Sequence, residues 1–178
     1  MQSITAFNTL DSTAAVELLT ACLAVPAWAE RIVAMRPFET SEQLIKACQD
    51  GWWACSEAEK LHAFAAHPRI GDVELLRAKY ASNTPAAQEK QGLATAEQGQ
   101  VLGADDAVIT ELAAQNNRYF DQFGFIFIVF ATGKSAAEML DLLNARINNT
   151  PEQELHNATV EQEKIMLLRL NNSLQTLA

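Results

Sequence analysis

Apolar residues recur at helical spacing along almost the whole chain. From Ser12 onward, Ala15, Val16, Leu19, Cys22 and Leu23 fall on one face of a 3.6-residue period, with Ser12 placed to cap the start. Pro26 stands where a second helix begins, and that helix carries Trp28, Ile32, Val33 and Met35 before Pro37 ends it. Thr40 with Gln43 has the pattern of a capping box opening a short third helix. Ser56-Glu57-Ala58-Glu59 is a second box, opening a helix through Leu61 and Phe64 that stops at His67, because the residue before a proline is driven out of α geometry.

Residues 82–105 are the least regular stretch, with Pro85, Gly92, Gly99 and Gly103 and short helical pieces between them. Asp105 is then expected to cap a longer helix that ends at Gly124, a suitable residue for the position after a helix. The run Phe-Ile-Phe-Ile-Val-Phe at 125–130 is strand-like but has no partner run elsewhere. A lone strand is not stable, so this run reads as a buried extended connector or a helix start. Ser135 to Glu138 forms another capping box. Thr150-Pro151-Glu152-Gln153 forms a further one, with proline in the first helical position, opening a C-terminal helix of roughly six turns. There is no internal repeat, low-complexity tract or linker. The pattern predicts one all-α domain over residues 1–178, with about eight helices.

Composition adds constraints to this picture. The 178 residues are enough to bury a sizeable core, and 49% of them are hydrophobic, ordinary for a globular chain. The formal net charge of −9 opposes nonspecific binding to nucleic acid or to anionic membranes, so neither is expected as a partner. Any anion site must be a local pocket built against that field. Cys22, Cys48 and Cys55 match no zinc or redox spacing and read as reduced, buried thiols. No basic-apolar-small leader opens the sequence, no apolar run approaches membrane-spanning length, and Thr-Leu-Ala at the end is not a peroxisomal address. A cytoplasmic location is the expectation.

Few residues are candidates for chemistry. His67 stands at a broken helix end, where its imidazole is displayed, and its ordinary pKa near neutrality suits proton transfer. A histidine capping the last carbonyls is the commoner outcome for that position alone. His62 and His156 read as surface residues. Arg146 lies three residues after Leu143 and four after Leu142, beside the apolar stripe, so its guanidinium must find acceptors in a ligand, in carbonyls or in a structural ion pair. From spacing alone the structural pair, or a snorkelling side chain, is the more frequent result. Arg36, before Pro37, carries the same ambiguity. Glu89 lies in the irregular stretch, where a carboxylate is usually solvated. The 125–130 run is usually core, although extended backbone beside Gly124 also offers N–H groups to a small polar ligand. No phosphate loop, dinucleotide fingerprint, nucleophile elbow or metal-ligand spacing appears, which leaves acid–base chemistry without metal or bound cofactor.

The order of several short segments is more specific. Arg-Pro-Phe at 36–38, Phe-Ala-Ala-His-Pro-Arg-Ile-Gly at 64–71 and Glu-Lys-Gln-Gly-Leu at 89–93 come first. Asn-Asn-Arg-Tyr-Phe-Asp-Gln-Phe-Gly-Phe-Ile-Phe-Ile at 116–128, Ala-Arg-Ile-Asn-Asn at 145–149 and Glu-Gln-Glu-Lys-Ile-Met-Leu-Leu-Arg-Leu at 161–170 follow. Together they resemble the 2-oxo-4-hydroxy-4-carboxy-5-ureidoimidazoline (OHCU) decarboxylases, which complete the route from urate to allantoin. The resemblance implies an all-helical, cofactor-free enzyme whose relatives often form dimers, so a homodimer is an expected assembly and OHCU the expected small-molecule partner.

By motif, the resemblance makes His67 the catalytic acid/base, Glu89 the carboxylate that holds substrate and histidine, and Arg146 the partner of the substrate's anionic end. It makes Pro68 a substrate contact, with the backbone of Phe125, Ile126, Phe127, Ile128 and Val129 binding ureido and ring polar groups. The family's Ser-x-x-Glu-Gln segment corresponds to Ala86, Ala87, Gln88, Glu89 and Lys90. Ala86, Gln88 and Lys90 are thereby substrate-binding candidates, but Ala86 and Lys90 lack the side chains the family uses there. A helical binding or scaffold module that keeps the fold without the activity, and a hydrolase acting on a ureido or cyclic amide group, are the alternative functions.

Overall fold

A computed structural model of the protein describes residues 2–69, 73–81 and 95–177. Nine helices and no strands occur among them: α1 (Gln2–Thr9), α2 (Ser12–Leu23), α3 (Pro26–Val33), α4 (Ser41–Trp53), α5 (Glu57–Ala65), α6 (Val73–Ala81), α7 (Thr95–Phe123), α8 (Ala136–Arg146) and α9 (Pro151–Thr176). The all-α expectation holds. The chain forms two compact units, one of Met1–His67, Ile128–Phe130 and Leu155–Ala178, the other of Pro68–Phe127 and Ala131–Glu154.

Caps and prolines set the starts of α3, α4, α5, α8 and α9 as the sequence predicts. The capping boxes Ser56/Glu59 and Ser135/Glu138 are complete, each serine accepting from the glutamate's backbone N–H while the glutamate accepts from the serine's. Thr150 and Gln153 exchange the same pair of bonds ahead of α9. Thr40 accepts from the Gln43 N–H, but the Gln43 side chain reaches one residue further back, to the Glu39 N–H.

Elsewhere the local reading is corrected. Asp11, not Ser12, caps α2, because its carboxylate accepts from the Ala14 N–H and a charged acceptor complements the helix dipole better than a hydroxyl. A short helix, α1, precedes it without any strong start signal. The second helix ends at Val33, leaving Met35 beyond it and exposed, and α4 runs 13 residues where a short helix was expected. The long helix begins at Thr95, ten residues before Asp105, and carries Gly99 and Gly103 inside it. Glycine costs a helix interior only about 1 kcal/mol relative to alanine, too little to break a long one. Helix α9 spans 26 residues, near seven turns where roughly six were expected. Residues 82–94 lie outside the described residues.

In the first unit, Phe7, Leu19, Leu23, Trp28, Ile32, Leu44, Trp52 and Phe64 are fully buried. Each contributes roughly 1.5–3 kcal/mol by leaving water. The two buried indoles keep their N–H groups satisfied, Trp28 donating to the Cys48 carbonyl and Trp52 to that of Thr159 at 3.0 Å. In the second unit, α6 and α8 both pack on α7. Tyr119 there meets Phe123, Phe125 and Phe127 at ring separations of 4.6–5.9 Å.

The 125–130 run is a connector and not a helix start, adopting neither helix nor strand. Gly124, at φ +77°, turns the chain out of α7 with the left-handed conformation that glycine adopts without strain. At the far end of the run, the Phe130 N–H donates to the Glu161 carboxylate at 2.7 Å.

Candidate active site

His67 belongs to the first unit. Helix α5 ends at Ala65, and the His67 N–H then closes a final tight turn onto the Phe64 carbonyl at 3.1 Å. With the backbone supplying that cap, the ring is directed to α9, where Nε2 lies 2.8 Å from Oε1 of Gln162. Capping, the commoner outcome for this position, is thus done by the main chain and not by the imidazole. Burial pulls the imidazole pKa below its ordinary value, the hydrogen bond to Gln162 opposes that, and the positive charge of Arg169 adds to it. The half-buried ring is therefore mainly neutral at neutral pH.

Arg146, in the second unit, is the last residue of α8. Its Nε donates to Glu154 Oε1 at 2.6 Å, its Nη2 ion-pairs with the same oxygen, and the guanidinium stacks 4.7 Å from the Phe127 ring centre. Glu154 is wholly buried and also accepts from Tyr119 Oη at 2.6 Å and from Asn149 Nδ2 at 2.8 Å. Burial pushes the Glu154 pKa up, but the bonds from Arg146, Tyr119 and Asn149 outweigh it and leave the carboxyl below its usual range. Burial, with the neighbouring carboxylate, drives the Tyr119 phenol far above its normal value, so it stays a donor. The structural ion pair that spacing favoured for Arg146 is present.

Of the other sequence candidates, Pro68 is exposed, Phe125, Phe127 and Ile128 are buried, and Ile126 and Val129 are partly covered. Ala86, Gln88, Glu89 and Lys90 lie outside the described residues. His62 and His156 are exposed, as expected, and all three cysteines are free and buried. Burial raises the Cys48 thiol to about 12, which makes it inert at neutral pH. No group of three or more His, Cys, Asp or Glu side chains among the described residues is arranged to hold a metal.

Arg36 proves structural. Its guanidinium donates to the carbonyls of Phe7, Leu10 and Val33 and to Ser12 Oγ, tying the end of α1 to the start of α2. The neighbouring Phe38 backbone exchanges two hydrogen bonds with the Asn8 side chain, at 2.8 and 3.0 Å. Arg69, just past the histidine, stacks 4.1 Å from the Phe120 ring and donates to Asn117 Oδ1 in the second unit.

Glu154 and Gln162 were not singled out from the sequence. The signal was there: Glu154, Ala158, Gln162, Met166, Leu170 and Leu174 form an every-fourth-residue row along α9, and all are buried. Two polar residues interrupt an otherwise apolar row, and each holds one of the two singled-out cationic or basic side chains.

Residues 8–171 match the family model described as OHCU decarboxylase. The chain belongs to the OHCU decarboxylase family. Within it, the chain is 37% identical over 136 residues to the uric acid degradation bifunctional protein TTL of Arabidopsis thaliana, covering 74% of this chain and 39% of that protein. It is 29% identical over 150 residues to the 2-oxo-4-hydroxy-4-carboxy-5-ureidoimidazoline decarboxylase of Amia calva, covering 84% of this chain and 81% of that one. A crystal structure of an OHCU decarboxylase in the presence of (S)-allantoin superposes with a TM-score of 0.65 at 29% identity, over 88% of this chain and 96% of that chain. The chain spans well under half the length of its bifunctional relatives, 31% in the case of PucL from Bacillus subtilis. No helix among the described residues is long and apolar enough to cross a membrane.

Proposed function

We propose that this protein decarboxylates OHCU to (S)-allantoin and CO2 without a cofactor, as a carboxy-lyase of urate catabolism. The observation that carries this reading is the family match over residues 8–171. The substrate's carboxylate sits on a carbon that also bears a hydroxyl, next to a ring carbon–nitrogen double bond. When the bond to the carboxylate breaks, its electron pair flows into that double bond, so the substrate is its own electron sink. The protein has three tasks: to orient the carboxylate out of the ring plane, to handle one proton, and to shield one face.

In this reading His67 moves the proton, and its neutral form at neutral pH supports a base role. Glu89 holds the substrate and pairs with the histidine once the ring carries the proton. Arg146, Pro68, the backbone of 125–129 and the segment bearing Ala86, Gln88 and Lys90 make the binding contacts. Protonation of the ring carbon from one side yields one enantiomer, whereas uncatalysed decay yields a racemate. A homodimer and a cytoplasmic location are part of the same reading, the second supported by three free thiols.

The test uses substrate generated in place by urate oxidase and the preceding hydrolase, with CO2 release and circular dichroism of the product as readouts. Wild type should give optically active allantoin, and His67→Ala should give only the slow racemic background. Chiral turnover by His67→Ala at the wild-type rate would end the acid/base assignment.

A scaffold module without activity is the second reading. The Arg146–Glu154 pair favours it, because it gives the arginine a structural task. Absence of CO2 release above background from the folded wild-type protein, with the substrate's ureido and ring amide bonds left intact, would establish it.

A further inference from the structure

We propose that Gln162 is a positioning residue that selects the tautomer of His67, placing the ring hydrogen on Nε2 and leaving the Nδ1 lone pair as the site that takes and returns the proton. This rests on the reading of His67 as the acid/base. The geometry is direct. Gln162 Oε1 lies 2.8 Å from Nε2, a carbonyl oxygen only accepts, and a neutral imidazole has a single N–H. A hydrogen bond at that distance therefore places the hydrogen on Nε2.

The partner's chemistry matters as much as its position. A carboxylate at the same place would stabilise the imidazolium through its charge, whereas a carboxamide orients the ring and remains neutral at any working pH. Gln162 thus fixes the ring without making it a permanent cation.

A second observation separates this role from packing. Gln162 is fully buried, and its Nε2 has no hydrogen-bond partner among the described residues. Burying an unmatched amide costs stability, and the residue interrupts the apolar row Ala158, Met166 and Leu170 on α9. A side chain of similar size without polar atoms would suit that row better. Glutamine at this position is explained by the bond it makes to His67.

The experiment compares wild type, Gln162→Met and Gln162→Glu. The ring tautomer is read by ¹⁵N NMR of the imidazole on free protein, alongside kcat, KM and melting temperature. Wild type should show the Nε2–H form. Gln162→Met should show a mixture of tautomers, a kcat lower by on the order of 10- to 100-fold, as when an outer partner orienting a histidine is lost, and a nearly unchanged KM. Its melting temperature should hold or rise. Gln162→Glu restores an acceptor and should keep a hydrogen on Nε2, but with the imidazole pKa raised by the carboxylate's charge.

An Nδ1–H tautomer in wild type would overturn the proposal. So would Gln162→Met with an unchanged tautomer and kcat, or with a melting temperature that falls while kcat per folded molecule does not. Absence of turnover by wild type would defeat the acid/base reading instead, and the NMR result on free protein would still decide what Gln162 does to the ring.

Discussion

Glu154 holds Arg146 by a hydrogen bond of 2.6 Å while exposing none of its own surface, and the arginine side chain is itself only 13% exposed. Removing one member of such a pair strands a buried charge. Glu154→Ala is expected to destabilise the protein by about 3–5 kcal/mol, whereas the double variant Glu154→Leu with Arg146→Met should recover most of the loss. Urea unfolding of the two variants beside wild type checks this. A cost under about 1 kcal/mol for Glu154→Ala, the range of a surface pair, would contradict the burial.

His67 should titrate below its ordinary value of about 6.5. Because the folded pKa lies below the unfolded one, protonation favours the unfolded chain. The contribution to stability is complete above about pH 6.5 and is lost as pH falls from there through the folded pKa. Arg169→Met removes the positive charge and should move the His67 pKa up toward 6.5, with the acid limb of kcat/KM following it. An NMR titration of the ring protons reads the shift directly, and no change in Arg169→Met would exclude that charge as a cause.

The clasp around Arg36 predicts a specific failure of the conservative replacement. Lysine offers one ammonium in place of a planar fork reaching Phe7, Leu10, Val33 and Ser12. Arg36→Lys should cost about 1.5–3 kcal/mol, the range for hydrogen bonds to a charged group. Asn8→Ala should cost about 1–2 kcal/mol through the two lost bonds to Phe38. Thermal unfolding checks both, and Arg36→Lys matching wild type would show that charge alone suffices.

Two glycines are needed for different reasons, and their alanine variants should differ accordingly. A Cβ at Gly51 would stand 2.9 Å from Ile32 Cδ1 and 3.1 Å from Trp28 Nε1, so Gly51→Ala should cost about 1–3 kcal/mol through overpacking, less up to about 1 kcal/mol of helix propensity. At Gly124 a Cβ meets nothing within 4 Å, and the cost of Gly124→Ala is the left-handed backbone alone, about 1–2 kcal/mol. Gly124→Asn should be milder than Gly124→Ala, since asparagine tolerates that conformation, while no side chain relieves Gly51. Calorimetry on the three variants separates the two causes.

His67 and Arg146 were legible from where they fall, one before a proline and the other beside an apolar stripe, but their tasks were not. The sequence left Arg146 between ligand and ion pair, and Arg36 likewise. Their partners, Glu154 for the first and the carbonyls of Phe7 and Leu10 for the second, are fixed only when helices pack. The start of α7 at Thr95 is not legible locally either, because Gly99 and Gly103 resemble helix breakers while their small cost is absorbed by a long helix.

The sequence by itself determined the capped starts of α3, α4, α5, α8 and α9, the end of α7 at Gly124 and the family, because caps, prolines and short motifs act through residues close together in the chain. Only the tertiary structure decided what the buried polar side chains hold. His67 meets Gln162 across 95 positions and Tyr119 meets Glu154 across 35. A buried hydrogen bond depends on where two distant segments come to rest, and no local pattern encodes that.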